Sequence, residues 1–212
     1  MNSTRNKNFL ELDGRPILLH TLDRFVLSKS VDELIIAAAA DEISAIEKMI
    51  APVEKPCKVI EGGSERQYSV ANALKYLPPS TELVLVHDAA RPLIDVETID
   101  AVIDAARKFG GAIVAVPAKN TIKVVNGENF VESTPPRASL VEVQTPQVFR
   151  REIILRAYEQ AARDKFLGTD DAALVERLGI QVKIVVGNYR NIKITTPEDL
   201  SIAEALIGRR AI

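Results

Sequence analysis

The sequence has few of the features that mark secreted or membrane-embedded proteins. It contains a single cysteine, Cys57, and no tryptophan. One cysteine cannot form an intramolecular disulfide, which favours a reducing compartment and hence a cytoplasmic protein. No apolar run reaches the roughly 20 residues that a membrane-spanning helix needs, and the N-terminal stretch lacks the pattern of a secretory signal. We therefore expect no membrane partner.

An excess of positive charge is also absent. The sequence has 27 lysines and arginines against 29 aspartates and glutamates, which gives a formal net charge of −2. No global basic field is available to attract nucleic acid, so we expect no nucleic-acid partner. An anionic ligand would have to be held by a few cations placed locally.

Several catalytic signatures are missing as well. The sequence has no Cys-x-x-Cys, His-Glu-x-x-His or Walker A motif and no Ser-His-Asp order. The usual sequence support for thiol redox chemistry, zinc proteolysis, P-loop phosphate binding and serine hydrolysis is therefore absent.

What the sequence does contain is an alternation of helical and strand patterns. Apolar residues recur at the helical period in several segments, and mainly apolar segments that do not alternate are predicted as strands between them, at 33–39, 57–63, 82–88 and 111–118. Strands of that kind are usually buried on both faces. Their alternation with helices predicts an α/β fold with a mostly parallel sheet and helices on both faces.

Residues at the ends of the helical segments provide capping signals. Asp95 is a predicted N-cap, and Gly110 is the predicted stop of the same helix. Ser64 and Gln67 have the spacing of a capping box. Thr169 is the predicted N-cap of a later helix.

The segment 120–134 has a different pattern. Two alternating runs, "NTIKVV" and "ENFVEST", are joined at Asn126-Gly127, which is a strong signal for a β-hairpin. A hairpin has no obvious place in a parallel sheet. We therefore expect it to project from the domain as an arm.

Three stretches that follow predicted strands carry the candidate functional residues. They are 62–66, 87–91 and 187–193. Ligands of open α/β sheets bind beyond the carboxyl ends of the strands, where these stretches meet. Asp88 is a hard oxygen ligand suited to Mg²⁺. The glycines of the first stretch would let backbone approach a ligand.

Each stretch also has a plainer structural interpretation. The glycines are compatible with an ordinary strand-to-helix turn. Asp88 and Arg91 could simply pair with each other. His87 is either a base or, more commonly in such places, a packed side chain. Lys193 either neutralises a phosphate or occupies a solvated edge position.

A further cation lies at the base of the predicted arm. Arg137 follows two prolines, and a guanidinium held by a stiff loop can bind phosphate through two parallel hydrogen bonds. With cations spread over several loops, the residues predict an enzyme for a phosphorylated ligand. Phosphoryl or nucleotidyl transfer fits, because its catalysis is mostly positioning and charge neutralisation.

A set of motifs then points to one family. "KNFLELDGRPILLHTL", "EGGSERQYSV", "VLVHDAARP", "TPQVF", "TDDAALVE" and "NIKITTPEDL" occur in one order across nearly the whole chain. Together they resemble the 2-C-methyl-D-erythritol 4-phosphate cytidylyltransferase family. The resemblance implies transfer of CMP from CTP to methylerythritol phosphate with Mg²⁺ in non-mevalonate isoprenoid synthesis. It also implies a single Rossmann-like nucleotidyltransferase domain over 1–212, with 119–145 as a β-arm that forms a homodimer.

The same resemblance implies roles for individual residues. Lys7, Arg137 and Lys193 correspond to catalytic residues, and Asp88 corresponds to the carboxylate that faces the metal-bound phosphates. The remaining implied contacts to CTP or the sugar-alcohol phosphate are Gly63, Ser64, Arg66, Ser69, Ala89, Arg91, Thr121, Thr169 and Thr195. Thr121 and Arg137 would act on the neighbouring subunit.

The sequence departs from the family pattern at its start. The family begins with a strand and a loop, Ala-Ala-Gly-x-Gly-x-Arg-Met, ahead of the catalytic lysine. Here Met1 stands at the place of that methionine, six residues before Lys7. We expect the strand, the loop and its arginine to be missing, either because the sequence is incomplete or because the protein is an inactive relative. Smaller departures are Ser64, where an acidic residue is common, and "TPPRAS", where an Asp-Arg pair is usual.

Two other functions fit the residues. One is a ribitol 5-phosphate cytidylyltransferase, although "VHDAARP" and "TPPRAS" favour the methylerythritol phosphate enzyme. The other is a truncated, non-catalytic nucleotide-binding or dimerisation module, which the missing loop would favour.

Overall fold

The computed structural model describes residues 9–208, and its helices follow the predicted ones. They are α1 (Ile17–Leu27), α2 (Ile43–Ile50), α3 (Arg66–Leu74), α4 (Val96–Phe109), α5 (Arg151–Arg163), α6 (Asp171–Glu176) and α7 (Pro197–Gly208).

The strands are short except for one that follows the arm. They are β1 (Glu11–Leu12), β2 (Arg15–Pro16), β3 (Leu34–Ala38), β4 (Cys57–Glu61), β5 (Leu83–Val86), β6 (Gly111–Pro117), β7 (Val124–Val125), β8 (Val131–Ser133), β9 (Val141–Arg150) and β10 (Lys183–Val186).

The main sheet has the strand order β10-β6-β9-β5. β10 pairs with β6 in parallel, whereas β9 runs antiparallel to both of its neighbours. The pairing is therefore mixed, not mostly parallel as the sequence predicted. The reason is that β9 returns from the arm without a helical crossover, which parallel pairing would require. β3 and β4 form a separate parallel pair.

Helices cover both faces of the main sheet, as predicted. Ala112 and Val114 of β6 pack in a cluster with α4, whereas Ile113 packs with α5 and α6 on the opposite face. β9 shows the same alternation, with Val148 on the α4 side and Phe149 on the α5 side. Burial of a valine, isoleucine or phenylalanine side chain of this kind stabilises the fold by about 1.5–3 kcal/mol.

The helix caps are partly as predicted. The side chain of Asp95 accepts a hydrogen bond from the Thr98 amide at 2.7 Å, and Gly110 ends α4 in the left-handed conformation. The capping box at Ser64 is wrong, because α3 begins one residue later and Gln67 bonds elsewhere. The N-cap of α6 is Asp170 rather than Thr169.

The hairpin forms where Asn126-Gly127 predicted it. β7 and β8 pair antiparallel, and the side chain of Asn126 accepts hydrogen bonds from the amides of Glu128 and Phe130. The turn is therefore longer than the two-residue turn that the dipeptide signals. Its apolar side chains are exposed, so the hairpin does not pack on the body of the domain. Among residues 9–208, the helices are all too short or too polar to cross a membrane.

Replacing Asp95 by alanine tests the cap of α4. The variant removes the side-chain acceptor at the helix start and should lower the free energy of unfolding by about 1 kcal/mol, measured by chemical denaturation. Asp104→Ala is the matched control, because Asp104 is exposed on the same helix and pairs only at the surface. Equal effects of the two substitutions would contradict the capping role.

Candidate functional site

A cleft opens at the carboxyl ends of β3 and β4. It has a volume of about 410 Å³ and is lined by residues 37–40, 61–64 and Ser69. This position is the ligand-binding end of an α/β sheet. Two of the predicted residues, Gly63 and Ser64, lie on its wall.

The glycine turn in this cleft is needed for close packing. A Cβ atom on Gly63 would lie 2.4 Å from the Cβ of Tyr68, so a side chain there would collide with the first turn of α3. The Gly63 amide donates to the Ser69 hydroxyl at 3.0 Å, and that hydroxyl donates to the Glu65 carbonyl at 3.1 Å. Ser69 therefore shapes the turn from within.

Asp88 is the centre of a charged cluster beyond the end of β5. Its Oδ1 accepts from Arg66 Nε at 3.0 Å, and its Oδ2 pairs with Lys193 Nζ at 2.9 Å. Arg91 Nε lies farther away, 3.7 Å from Oδ2. Asp88 therefore does not simply pair with Arg91. Its shortest contacts are to Arg66 and Lys193, which lie in two distant parts of the chain.

The charges of this cluster keep Asp88 ionised. Burial opposes ionisation, but Arg66 and Lys193 outweigh it and lower the pKa of the Asp88 carboxyl to about 2. Burial would lower the pKa of Arg66, but the carboxylates of Asp171 and Asp88 raise it. At neutral pH the ionised carboxylate of Asp88 therefore lies among three cations, one of which, Arg66, also pairs with Asp171.

Three successive residues of the loop that carries Asp88 form hydrogen bonds to three different parts of the fold. The Asp88 amide donates to Thr145 of β9 at 3.1 Å. The Ala89 carbonyl accepts from Thr21 of α1 at 2.7 Å, and the Ala90 carbonyl accepts from the amide of Ile194 at 2.8 Å. These bonds hold the loop in one conformation, so the carboxylate has a fixed position.

His87 is a packed side chain rather than a base. Because Thr145 accepts from the Asp88 amide, its hydroxyl can donate to His87 Nδ1 at 3.0 Å. The other nitrogen, Nε2, then donates to the Arg91 carbonyl at 3.1 Å, and the ring packs edge-on against Phe25. Burial lowers the pKa of His87 to about 4, so the neutral form is retained and is only weakly basic.

Arg91 faces the segment before α7. Its Nη1 donates to the Asn191 carbonyl at 2.8 Å. Asn191 is itself buried, and its side-chain amide donates to the Thr145 carbonyl and to Gln144 Oε1. The segment that delivers Lys193 is therefore joined both to the Asp88 loop and to β9.

Within residues 9–208, none of the other predicted residues pairs with Asp88. Thr195 is exposed, and its amide and hydroxyl both donate to Asp199. Arg137 lies in a single 3-10 turn at the arm base, where Nη1 donates to the Lys119 carbonyl at 3.1 Å. Thr121 and Thr169 are exposed. Lys7 lies outside the described residues.

Four of the predicted residues therefore come together within one chain: Arg66, Asp88, Arg91 and Lys193, with Ala89 in the same loop. Arg137 and Thr121 do not reach them from the same chain. Sequence reasoning missed Thr145 and Asp171, although both stand in recognised motifs, "TPQVF" and "TDDAALVE". It also missed Asn191, which is the first residue of the motif "NIKITTPEDL" and is fully buried.

Asp88 fits a metal only as part of a larger coordination shell. Within residues 9–208, no group of three or more His, Cys, Asp or Glu side chains is placed to hold an ion. A single carboxylate nevertheless suits Mg²⁺ that arrives with a triphosphate, because that ion commonly takes one or two carboxylates and completes its shell with phosphate and water.

Comparisons with known proteins agree on one family. The family model for 2-C-methyl-D-erythritol 4-phosphate cytidylyltransferase matches residues 1–209. A protein of that name from Caldanaerobacter subterraneus subsp. tengcongensis is 43% identical over 212 residues, covering 99% of this chain and 93% of that protein. One from Geobacillus kaustophilus is 46% identical, covering 99% and 92%.

Solved structures give the same result. The crystal structure of 4-diphosphocytidyl-2C-methyl-D-erythritol synthase from Anaerococcus prevotii superposes with a TM-score of 0.91 at 35% identity, covering 95% of this chain and 93% of that one. The 2-C-methyl-D-erythritol 4-phosphate cytidylyltransferase from Thermus thermophilus gives a TM-score of 0.81 at 36% identity, covering 94% and 92%.

Replacing Thr145 by valine tests how the Asp88 loop is held. The variant keeps the shape but leaves the Asp88 amide and His87 Nδ1 without their partner, so we expect a loss of about 1–3 kcal/mol in the free energy of unfolding, measured in urea. Thr145→Ser retains the hydroxyl and is the control. A serine variant as unstable as the valine variant would show that the methyl group, not the hydroxyl, matters.

Proposed function

The chain belongs to the 2-C-methyl-D-erythritol 4-phosphate cytidylyltransferase family, and from this premise we propose how its residues carry out the reaction. It is a nucleotidyltransferase that transfers CMP from CTP to 2-C-methyl-D-erythritol 4-phosphate, giving 4-diphosphocytidyl-2-C-methyl-D-erythritol and diphosphate in isoprenoid precursor synthesis. The observation that carries the mechanism is the clamping of Asp88 by Arg66 and Lys193 at the end of β5.

In the proposed reaction, an oxygen of the substrate phosphate attacks the α-phosphorus of CTP. The bond from that phosphorus to the bridging oxygen breaks, and diphosphate leaves with the electron pair. A phosphate monoester is already mostly ionised near neutral pH, so no general base is required. This agrees with a packed, weakly basic His87.

The cations are proposed to place and neutralise the phosphates. Lys193 is the most accessible cation of the cluster, with 42% of its side chain exposed, and could turn from Asp88 to a substrate phosphate. Arg91 is held more rigidly by the Asn191 carbonyl. Positioning of this kind is the main source of catalysis in phosphoryl transfer. Lys7 is proposed as a further cation for the triphosphate, and Thr195 as a hydroxyl contact to the substrate phosphate.

The cleft beside β3 and β4 is proposed to take the nucleoside. Gly63 brings backbone to its wall without a side chain, and Ser64 and Ser69 supply hydroxyls there. Arg66 begins α3 beside this cleft and reaches Asp88, so it would link the nucleoside end to the phosphate end. Thr169 is proposed to contact the sugar alcohol.

Mg²⁺ is proposed as the metal, with Asp88 as the protein carboxylate that would hold it. The ion would supply charge neutralisation for the phosphates. Arg66 and Lys193 now share the carboxylate oxygens, so they have to yield part of that contact. A cytoplasmic location is part of the proposal and is supported by the single cysteine, Cys57.

A homodimer is proposed because the arm leaves apolar surface uncovered. Val125, Phe130 and Val131 are 52%, 67% and 58% exposed on the hairpin. The exposed surface continues onto β9 at Val141 and Val143, which are also open to solvent. Apolar patches of this kind mark interaction surfaces. The arm of one protomer would then carry Thr121 and Arg137 to the site of the other.

The activity is tested by measuring diphosphate release from CTP with either sugar phosphate. We expect the protein to have a higher kcat/KM for 2-C-methyl-D-erythritol 4-phosphate than for ribitol 5-phosphate. Asp88→Asn, which removes the charge but keeps the shape, is the inactive control. A preference for ribitol 5-phosphate would support the alternative substrate, and CTP binding without turnover of either would support the non-catalytic module.

Mixing two variants tests whether the arm acts across subunits. Arg137→Ala and Lys193→Ala should each be nearly inactive alone. In a mixed dimer, one site would combine the intact Lys193 of one protomer with the intact Arg137 of the other. Random mixing makes half of the dimers mixed, so about a quarter of the wild-type activity should return.

Light scattering has to show that both variants remain dimeric and exchange subunits. If they do and no activity returns, Arg137 does not act in the neighbouring site.

A further inference from the structure

Asp171 is a buried carboxylate that the mechanism above does not use. Its side chain is 0% exposed at the first residue of α6. Oδ2 accepts from Arg66 Nη2 at 2.8 Å, and Oδ1 accepts from the hydroxyl of Tyr158 on α5. A charge so completely removed from water is costly unless it is paired.

The start of α6 does not need this carboxylate as a cap. Asp170 caps the helix by accepting from the Ala173 amide at 2.9 Å. Gln147 of β9 accepts from the Ala172 amide at 3.0 Å. With those amides satisfied, the side chain of Asp171 is directed to Arg66 and Tyr158 instead.

Arg66 uses two neighbouring nitrogens to join two carboxylates. Nε donates to Asp88 at 3.0 Å and Nη2 donates to Asp171 at 2.8 Å. These are adjacent donors on a planar, rigid group, and one carboxylate can take such a pair in two parallel bonds. Asp171 accepts the hydrogen bond from Nη2. Without Asp171, that nitrogen would be available to donate a second hydrogen bond to Asp88.

We propose that Asp171 is a positioning residue for nucleotide binding: it holds Arg66 by Nη2, so that Arg66 gives Asp88 one hydrogen bond and the Asp88 carboxylate stays open to metal-bound phosphates. This inference rests on the proposed function. Without Asp171, Arg66 either chelates Asp88 or turns away to solvent. Both changes alter the charge and the geometry that incoming CTP meets.

The test compares Asp171→Asn with Tyr158→Phe. The first removes the charge that holds Arg66, whereas the second removes only the other hydrogen bond of Asp171. We expect Asp171→Asn to weaken CTP binding, measured by calorimetry with Mg²⁺, by about tenfold, as for other residues that orient a metal ligand. KM for CTP should rise in step, with less change in kcat. Tyr158→Phe should lower thermal stability and leave CTP affinity unchanged.

A double-mutant cycle separates positioning from a general structural effect. If Asp171 acts through Arg66, then Asp171→Asn should not weaken CTP binding further in an Arg66→Ala background. Additive losses in the double variant would overturn the proposal. So would wild-type CTP affinity in a folded Asp171→Asn protein.

A second variant covers the case in which Asp171→Asn does not fold. Arg66→Lys keeps the positive charge, but its single amino group cannot bridge both carboxylates with fixed geometry. The Arg66→Lys variant should weaken CTP binding by about tenfold as well. Unchanged CTP affinity would show that the bridge from Arg66 to Asp88 and Asp171 has no role in binding. Wild-type turnover is measured in parallel: an inactive wild type contradicts the proposed function, whereas an active wild type with unaffected variants contradicts only this inference.

Discussion

Asp88 places one negative charge among three cationic side chains, and the arrangement of the site follows from that balance. Arg66 comes from the start of α3, and Lys193 comes from the segment before α7. A partly buried carboxylate is stable only if it is well paired, because desolvation costs more than a single surface pair returns. The cluster thus joins distant parts of the chain at the end of β5.

The antiparallel strand β9 gives this cluster its foundation. It carries three buried polar side chains, each bonded to a different loop. Gln144 donates to the Asn188 carbonyl, Thr145 accepts from the Asp88 amide, and Gln147 bonds to the start of α6. Buried polar groups that are fully satisfied make a core specific and rigid. One strand therefore fixes the relative positions of the loops that carry Asp88, Lys193 and Asp171.

The arm, unlike β9, is not stabilised by contacts with the rest of the described domain. Its strands are short, and its apolar side chains are exposed instead of packed against the body of the domain. A two-stranded hairpin is only marginally stable by itself. The second protomer that we propose would cover this surface and thereby stabilise the arm.

Much of the fold could be predicted from local sequence. The 3.6-residue period located the helices, and Asp95 and Gly110 marked the ends of α4, because helix caps depend on a few neighbouring residues. Asn126-Gly127 located the hairpin for the same reason. The direction of β9 was not predicted, since strand pairing depends on which distant segment lies alongside.

The candidate site, like the fold, was predicted from the sequence only in part. The sequence by itself determined which residues could carry charge to the strand ends, namely Arg66, Asp88, Arg91 and Lys193. Only the tertiary structure decided that Arg66 bridges Asp88 to Asp171, a residue 105 positions away along the chain. A hydrogen bond between such distant residues leaves no local pattern, because its two partners become neighbours only when the chain folds.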